Sequence, residues 1–246
     1  MNTCSKCNSQ VAENYCSNCG QSARLERIDR HYISHEILHL LHFEKGFFYT
    51  AKELTVRPGD SIRAFIASDR AKHMKPIAYL ILTSLLFTLI AHFFHVDEIY
   101  NEKEKLVFGK SSIETIQHWV QTHYGYGNIL MGAFIVLWVK VLFRQYSYNL
   151  FEIAVLLCFV MGHGMLLLTV ETFFANVLSR QLYIIVLSVI SLAYPTWAIG
   201  QFFSKKKIAS YLKAFFAYLL GYISFYAGII LVGLATDLLL KGMSTH

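Results

Sequence analysis

The stretch Phe151–Ala175, FEIAVLLCFVMGHGMLLLTVETFFA, decides how the chain is read. Between Glu152 and Glu171 it carries no charged side chain, and only His163, between Gly162 and Gly164, interrupts its apolar middle strongly. A helix rises about 1.5 Å per residue, so about 20 such residues cross a hydrocarbon core of about 30 Å. Four further stretches read the same way: Ile77–His95, Asn128–Phe143, Leu182–Phe203 and Tyr211–Leu240. Of these, Asn128–Phe143 is short and needs Lys140 to reach the interface, while Tyr211–Leu240 is longer than a crossing requires. Composition agrees. Of 246 residues, 55% are hydrophobic and only 15% charged, with mean hydropathy +0.42, too little charged surface for a soluble domain of this length. The expected fold is an all-α membrane protein, a bundle of about five transmembrane helices at 77–246. A zinc ribbon at 1–22 and an amphipathic juxtamembrane segment at 23–76 precede it.

Basic residues orient the bundle. Arg63, Arg70, Lys72 and Lys75 precede the first span, Arg144 follows the second, and Lys205, Lys206, Lys207 and Lys213 lie between the fourth and fifth. The loop from Val96 to Gly127 on the other side has three lysines against five acids. The positive-inside rule then predicts a cytoplasmic N-terminus and an external C-terminus. The formal net charge of +6 follows from the same distribution, because anionic lipid headgroups attract cations at membrane entrances. A nucleic-acid partner is not expected. Residues Met1–Gln21 hold one lysine, Lys6, and one acid, Glu13.

Cys4-Ser5-Lys6-Cys7 and Cys16-Ser17-Asn18-Cys19 form two C-x-x-C pairs eight residues apart. Two thiolates from one tight turn reach one ion, and the short spacer lets the second turn complete a tetrahedron. Disulfides need an oxidising compartment, and the sequence ahead of Cys4 does not read as a signal peptide. Zinc held by Cys4, Cys7, Cys16 and Cys19 is therefore the expected cofactor, in a structural site with no open coordination position.

A second polar feature follows. From Ile28 to Glu44, His31, His35, His39 and His42 fall within an arc of about 80° on a helix, opposite Ile33, Ile37, Leu40 and Leu41. This face reads as a second metal site or a docking surface. His35-Glu36-Ile37-Leu38-His39 also matches H-E-x-x-H, in which two histidines hold zinc and the glutamate serves as base. Three fixed positions make a weak pattern, and no strands to build a substrate cleft accompany them. Gly46 reads as the helix stop, Arg57-Pro58-Gly59-Asp60 as a turn, and Ser61–Ser68 as a short helix capped by Ser61.

Polar side chains at membrane depth are costly and are functional candidates by default. His92, His95, Glu171 and Asp237 all lie near the outer ends of spans, where interfacial water is the simplest explanation, and His163 lies deep. Glu152, Gln201 and Lys140 read as anchors near the cytoplasmic ends, Cys158 as a packing residue, and Tyr146, Tyr148, Tyr183 and Tyr211 as interfacial rings. Pro195 should free a carbonyl in the fourth span.

The order of Cys16-Ser17-Asn18-Cys19-Gly20-Gln21, Arg27-Ile28, Lys45-Gly46-Phe47-Phe48-Tyr49-Thr50, Arg57-Pro58-Gly59, Arg70 and Pro76 resembles domain-of-unknown-function family 3667 of Bacteroidota membrane proteins. Tyr148-Asn149-Leu150-Phe151-Glu152 resembles that family's tyrosine-asparagine-glutamate approach to a span, although only His163 remains of the histidines that usually follow. The resemblance implies a multi-pass protein of the bacterial inner membrane and names no reaction. The expectation drawn from all of these features is a non-catalytic anchor or assembly subunit. Its partners are the bilayer and a protein docked on the cytoplasmic ribbon, with homo-oligomers compatible. A small-solute or proton transporter is the alternative, and a zinc metallopeptidase the third.

Overall fold

The computed structural model describes residues 2–3, 9–11, 18, 46–67, 72–94, 111–175 and 177–244. The chain divides into two compact units, Met1–Glu44 and Lys45–His246. In the first, strands β1 (Asn2–Thr3) and β2 (Gln10–Val11) pair antiparallel, with Asn2 opposite Val11 and Thr3 opposite Gln10. Asn18 Nδ2 donates to Ser9 Oγ at 3.2 Å. The four N-terminal cysteines and the expected helix with His31, His35, Glu36, His39 and His42 lie outside the described residues.

The second unit is an all-α membrane bundle. Its described helices are α1 (Gly46–Val56), α2 (Pro58–Ala67), α3 (Pro76–Phe93), α4 (Ser112–Thr122), α5 (Tyr124–Leu142), α6 (Leu150–Thr172), α7 (Arg180–Phe203) and α8 (Ile208–Ser244). By length and composition α3, α6, α7 and Ile208–Lys241 of α8 can each cross a membrane; the apolar part of α5, Tyr126–Leu142, is shorter. Exposure supports this reading. Ile77, Ile81, Leu85 and Leu89 recur every four residues along α3 and are each more than half exposed, a stripe suited to lipid and not to water. α8 has 37 residues and is about 55 Å long at about 1.5 Å per residue, longer than the hydrocarbon core.

Local chemistry sets the helix starts. Asn149 Oδ1 accepts from the Glu152 amide at 2.9 Å while Glu152 Oε2 accepts from the Asn149 amide at 2.8 Å, a reciprocal capping box that opens α6. Ser179 and Ser111 accept from Leu182 and Glu114 to cap α7 and α4. Pro58 and Pro76 start α2 and α3, where the missing N–H has no helical partner to lose.

Four local expectations are corrected. Gly46 opens α1, and an added Cβ there would meet the Met74 amide nitrogen at 3.3 Å, so the residue serves a close backbone approach. The expected turn at 57–60 shrinks to the single residue Arg57, because Pro58 suits a first helical turn. Ser61 stands inside α2, where its Oγ meets His73 Nε2 at 2.7 Å instead of capping a helix. The loop expected at 96–127 also contains α4, held against α8 by Ile113 packed with Phe225 and Ile229.

In lipid, helices associate by close packing and polar contacts, since lipid tails are as apolar as leucine. A Cβ on Gly221 would come within 2.5 Å of Ile135 Cγ1, so α5 and α8 approach through that position, and Trp138 Nε1 donates to Ser224 Oγ at 2.9 Å beside it. Gly59 brings α2 onto the end of α7: its Cβ would fall 2.4 Å from the Phe202 amide nitrogen. The Gly59 N–H donates to Gln201 Oε1 at 2.7 Å, and Arg63 donates to the carbonyls of Gln201 and Phe202 at the C-terminus of α7. A cation there complements the helix dipole and satisfies carbonyls that the helix leaves open.

Candidate functional site

His163 is the fourteenth residue of α6, yet its partner Tyr79 is only the fourth of α3. Alongside α6, therefore, α3 begins about 15 Å further on, ten residues at about 1.5 Å each. α1 and α2 cover the part of α6 thus left bare, with the Phe65 ring 5.1 Å from Phe159. This step in the bundle brings three elements around the histidine.

The hydrogen bonds define its state. Tyr79 Oη lies 2.9 Å from His163 Nδ1, and Thr55 Oγ1 lies 3.1 Å from Nε2. Thr55 has one hydroxyl proton and donates it to the Ala51 carbonyl at 2.8 Å, so towards the histidine it accepts. Nε2 then carries the proton and Nδ1 accepts from the Tyr79 hydroxyl, the tautomer assignment that satisfies every group. From the other side the Tyr194 ring approaches at 5.0 Å between centroids, and its hydroxyl donates to the Leu54 carbonyl at 3.2 Å. Tyr79 and His163 are almost fully buried and Thr55 is exposed, so one hydrogen-bonded chain runs from the interior to the surface.

A second histidine extends the clamp. His73 packs edge-on against Tyr49, Phe65 and Phe159 at 5.1, 5.9 and 6.3 Å and meets Ser61 through Nε2. Buried Thr50 bridges the same segment, accepting from the Met74 amide at 2.9 Å and donating to the Gly46 carbonyl at 2.6 Å. Beside it, Asp60 pairs with Arg63 and with Lys205 of the turn between α7 and α8. Burial pushes the Asp60 carboxyl up, but the hydrogen bonds and charges of Lys205 and Arg63 outweigh this and hold it below the usual carboxylate range.

The other polar candidates go to separate places. Glu171 is 5% exposed, so it does not reach interfacial water, and neither carboxyl oxygen has a hydrogen-bond partner among the described residues. Tyr183, expected at the interface, is buried with Phe87, Ala91 and Leu168, and its hydroxyl has no hydrogen-bond partner among the described residues. Asp237 accepts from the Ser112 amide at 3.1 Å and so ties α8 to the start of α4. His92 is exposed on α3, and His95 lies outside the described residues. Gln201 is fixed on Gly59, and Lys140 donates to the Tyr148 carbonyl at 2.6 Å. Among the described residues no group of three or more histidine, cysteine or acidic side chains is arranged to hold a metal.

The fold thus defines a membrane bundle whose step is filled by a helical hairpin pinned to a buried histidine. Residues 44–88 match the family described as protein of unknown function DUF3667. That segment comprises α1, α2 and most of α3, and so contains Thr50, Thr55, Ser61, His73 and Tyr79. No curated protein and no solved structure gives a significant match.

Proposed function

We propose that the protein is a multi-pass membrane anchor or assembly subunit that docks a partner protein through a zinc ribbon formed by Cys4, Cys7, Cys16 and Cys19. The observation that carries this reading is the His163 clamp, which engages both ring nitrogens in joining α1 to α3 and α6. A histidine used in this way holds a mount in place. The ribbon is supported by the β1–β2 pair, whose arms flank Cys4 and Cys7 in sequence, and by the Asn18 to Ser9 hydrogen bond. Asn18 stands between Cys16 and Cys19 in sequence, and Ser9 follows Cys7 by two residues. In the orientation expected from the basic residues, the ribbon and the lysine-rich end face the cytoplasm of a bacterial inner membrane.

Full-length protein should carry about one zinc per chain, the ratio of a closed four-cysteine site. A photocrosslinker in place of Gln10 should give one discrete protein adduct that disappears with Cys16→Ser while the bundle unfolds at an unchanged temperature. Absence of zinc, or an adduct that survives its loss, would overturn the reading. Transport of a proton or small solute is the second reading, and the unpartnered Glu171 carboxyl favours it. Under that reading Glu171→Gln abolishes activity; under an anchor it does not.

A further inference from the structure

The bundle divides towards the C-terminal ends of α3 and α6. α7 clusters there with α3 and α6, through Tyr183, Leu187 and Ile190 against Phe87, Ala91 and Leu168. α8 clusters instead with α4 and α5, through Phe225 and Ile229 against Ile113, Met131 and Phe134. At the opposite end α7 and α8 meet closely, where a Cβ on Gly200 would touch the Tyr211 ring at 2.5 Å. The two helices therefore diverge, and a cavity of about 220 Å³ lies in the divergence, bordered by α4, α5, α6, α7 and α8.

Its lining specifies what fits. No charged side chain lines it, which disfavours an ion, and Met131, Met161 and Met165 supply flexible apolar walls that adapt to an irregular hydrocarbon. A few polar groups point to a neutral head. Tyr218 forms no hydrogen bond with another described residue, and Asn128 gives its Nδ2 to Ser84 Oγ at 3.4 Å, which leaves Oδ1 unbonded. Pro195 has no N–H to return to the Ser191 carbonyl one turn earlier, and both residues line the cavity. Tyr222, on the same lining, is 43% exposed on a helix long and apolar enough to cross a membrane, so the lining reaches the outer surface of α8. An apolar cavity of about 150 Å³ already accepts benzene, so this one holds a head group and the first carbons of a chain.

We propose that this cavity binds a neutral lipid from the bilayer, its hydroxyl or carbonyl head between Tyr218 and Asn128 and its chain leaving between α7 and α8. The site is independent of the ribbon and of the clamp, since His163 faces away to α1, α3 and Tyr194 while Gly164 faces the cavity.

Gly164 provides the test. A Cβ there meets nothing within 4 Å, and Gly164 lines the cavity, so Gly164→Leu directs its side chain into that space. Full-length protein in lipid nanodiscs is irradiated with a dodecanol carrying a diazirine. Adducts should form saturably on the peptides containing Met161, Met165 or Tyr218, be competed by plain dodecanol, and fall about ten-fold in Gly164→Leu. Labelling at lipid-facing Phe216 should not change. Tyr218→Phe removes only the hydroxyl and serves if Gly164→Leu does not fold. It should weaken labelling by the alcohol about ten-fold and leave a diazirine alkane unaffected. Unsaturable labelling spread over exposed positions, or cavity adducts indifferent to both substitutions, would overturn the proposal.

Discussion

Gly162 and Gly164 flank the same histidine on the same helix, yet they face opposite conditions. A Cβ on Gly162 would meet the Tyr79 ring at 3.0 Å and the Leu80 Cα at 3.1 Å, while one on Gly164 would meet nothing within 4 Å. One face of α6 is sealed by α1 and α3, and the other borders a cavity. The glycines are two positions apart, about 200° around a helix at 100° per residue, so their faces are nearly opposed. The lesson is one of division of labour: the sealed face fixes the hairpin, and the open face leaves room for a ligand.

The sharpest way to break this contrast is to remove its pivot. His163→Ala leaves the buried Tyr79 hydroxyl without its partner and opens a void beneath α1, and should destabilise the bundle by about 3–5 kcal/mol. Thermal unfolding in detergent, followed by tryptophan fluorescence, reads this directly. The two glycines should then respond with opposite sign. Gly162→Ala presses on the backbone of α3 and should cost about 1–3 kcal/mol, whereas Gly164→Ala should stabilise by up to about 1 kcal/mol through helix propensity. Equal responses would erase the distinction between the faces.

Glu171 sharpens the comparison further out along α6. Both of its carboxyl oxygens are buried and unpartnered, so Glu171→Met should raise the unfolding temperature, by about 1–2 kcal/mol in stability. A fall would mean that the carboxyl has a structural partner. The smallest effect is expected at Asp60, on the surface of the hairpin. Its carboxyl is held below its unfolded value, so the stabilisation is present above the unfolded pKa of about 3.9 and is lost as pH falls through the lowered folded value. The side chain is 35% exposed, and solvent screening keeps this to no more than about 1 kcal/mol. Asp60→Asn should flatten the stability profile across that acidic window, lowering stability near neutrality by no more than about 1 kcal/mol and leaving it unchanged at the acid end.

Sequence and structure agree where the physics is local and part where it is not. The membrane helices are legible because the bilayer demands long uncharged runs, and α3, α6 and α7 begin and end within three residues of the spans expected. α4 was also within reach: Ser111 and Glu114 carry the S-x-x-E cap signature, and Ile113, Ile116 and Val120 recur on one helical face. Gly46 misleads because glycine is a common helix stop, whereas here it lets backbone approach backbone. The clamp was only half visible. His163 stood out as a polar residue in an apolar run, but Thr55 is 108 positions away and Tyr79 84, and a hydroxyl in sequence does not announce a partner at that distance. His73, between Lys72 and Met74, reads as an ordinary juxtamembrane residue until Tyr49, Phe65 and Phe159 are seen around it.

The central claim is that α1 is fixed to the membrane bundle through His163. Hydrogen exchange of the amides in 50–56, measured on full-length protein in nanodiscs, tests it most directly. The account predicts strong protection in the native protein and its loss in His163→Ala while the amides of α8 keep theirs. Exchange that is fast in the native protein, or unchanged by the substitution, would contradict it.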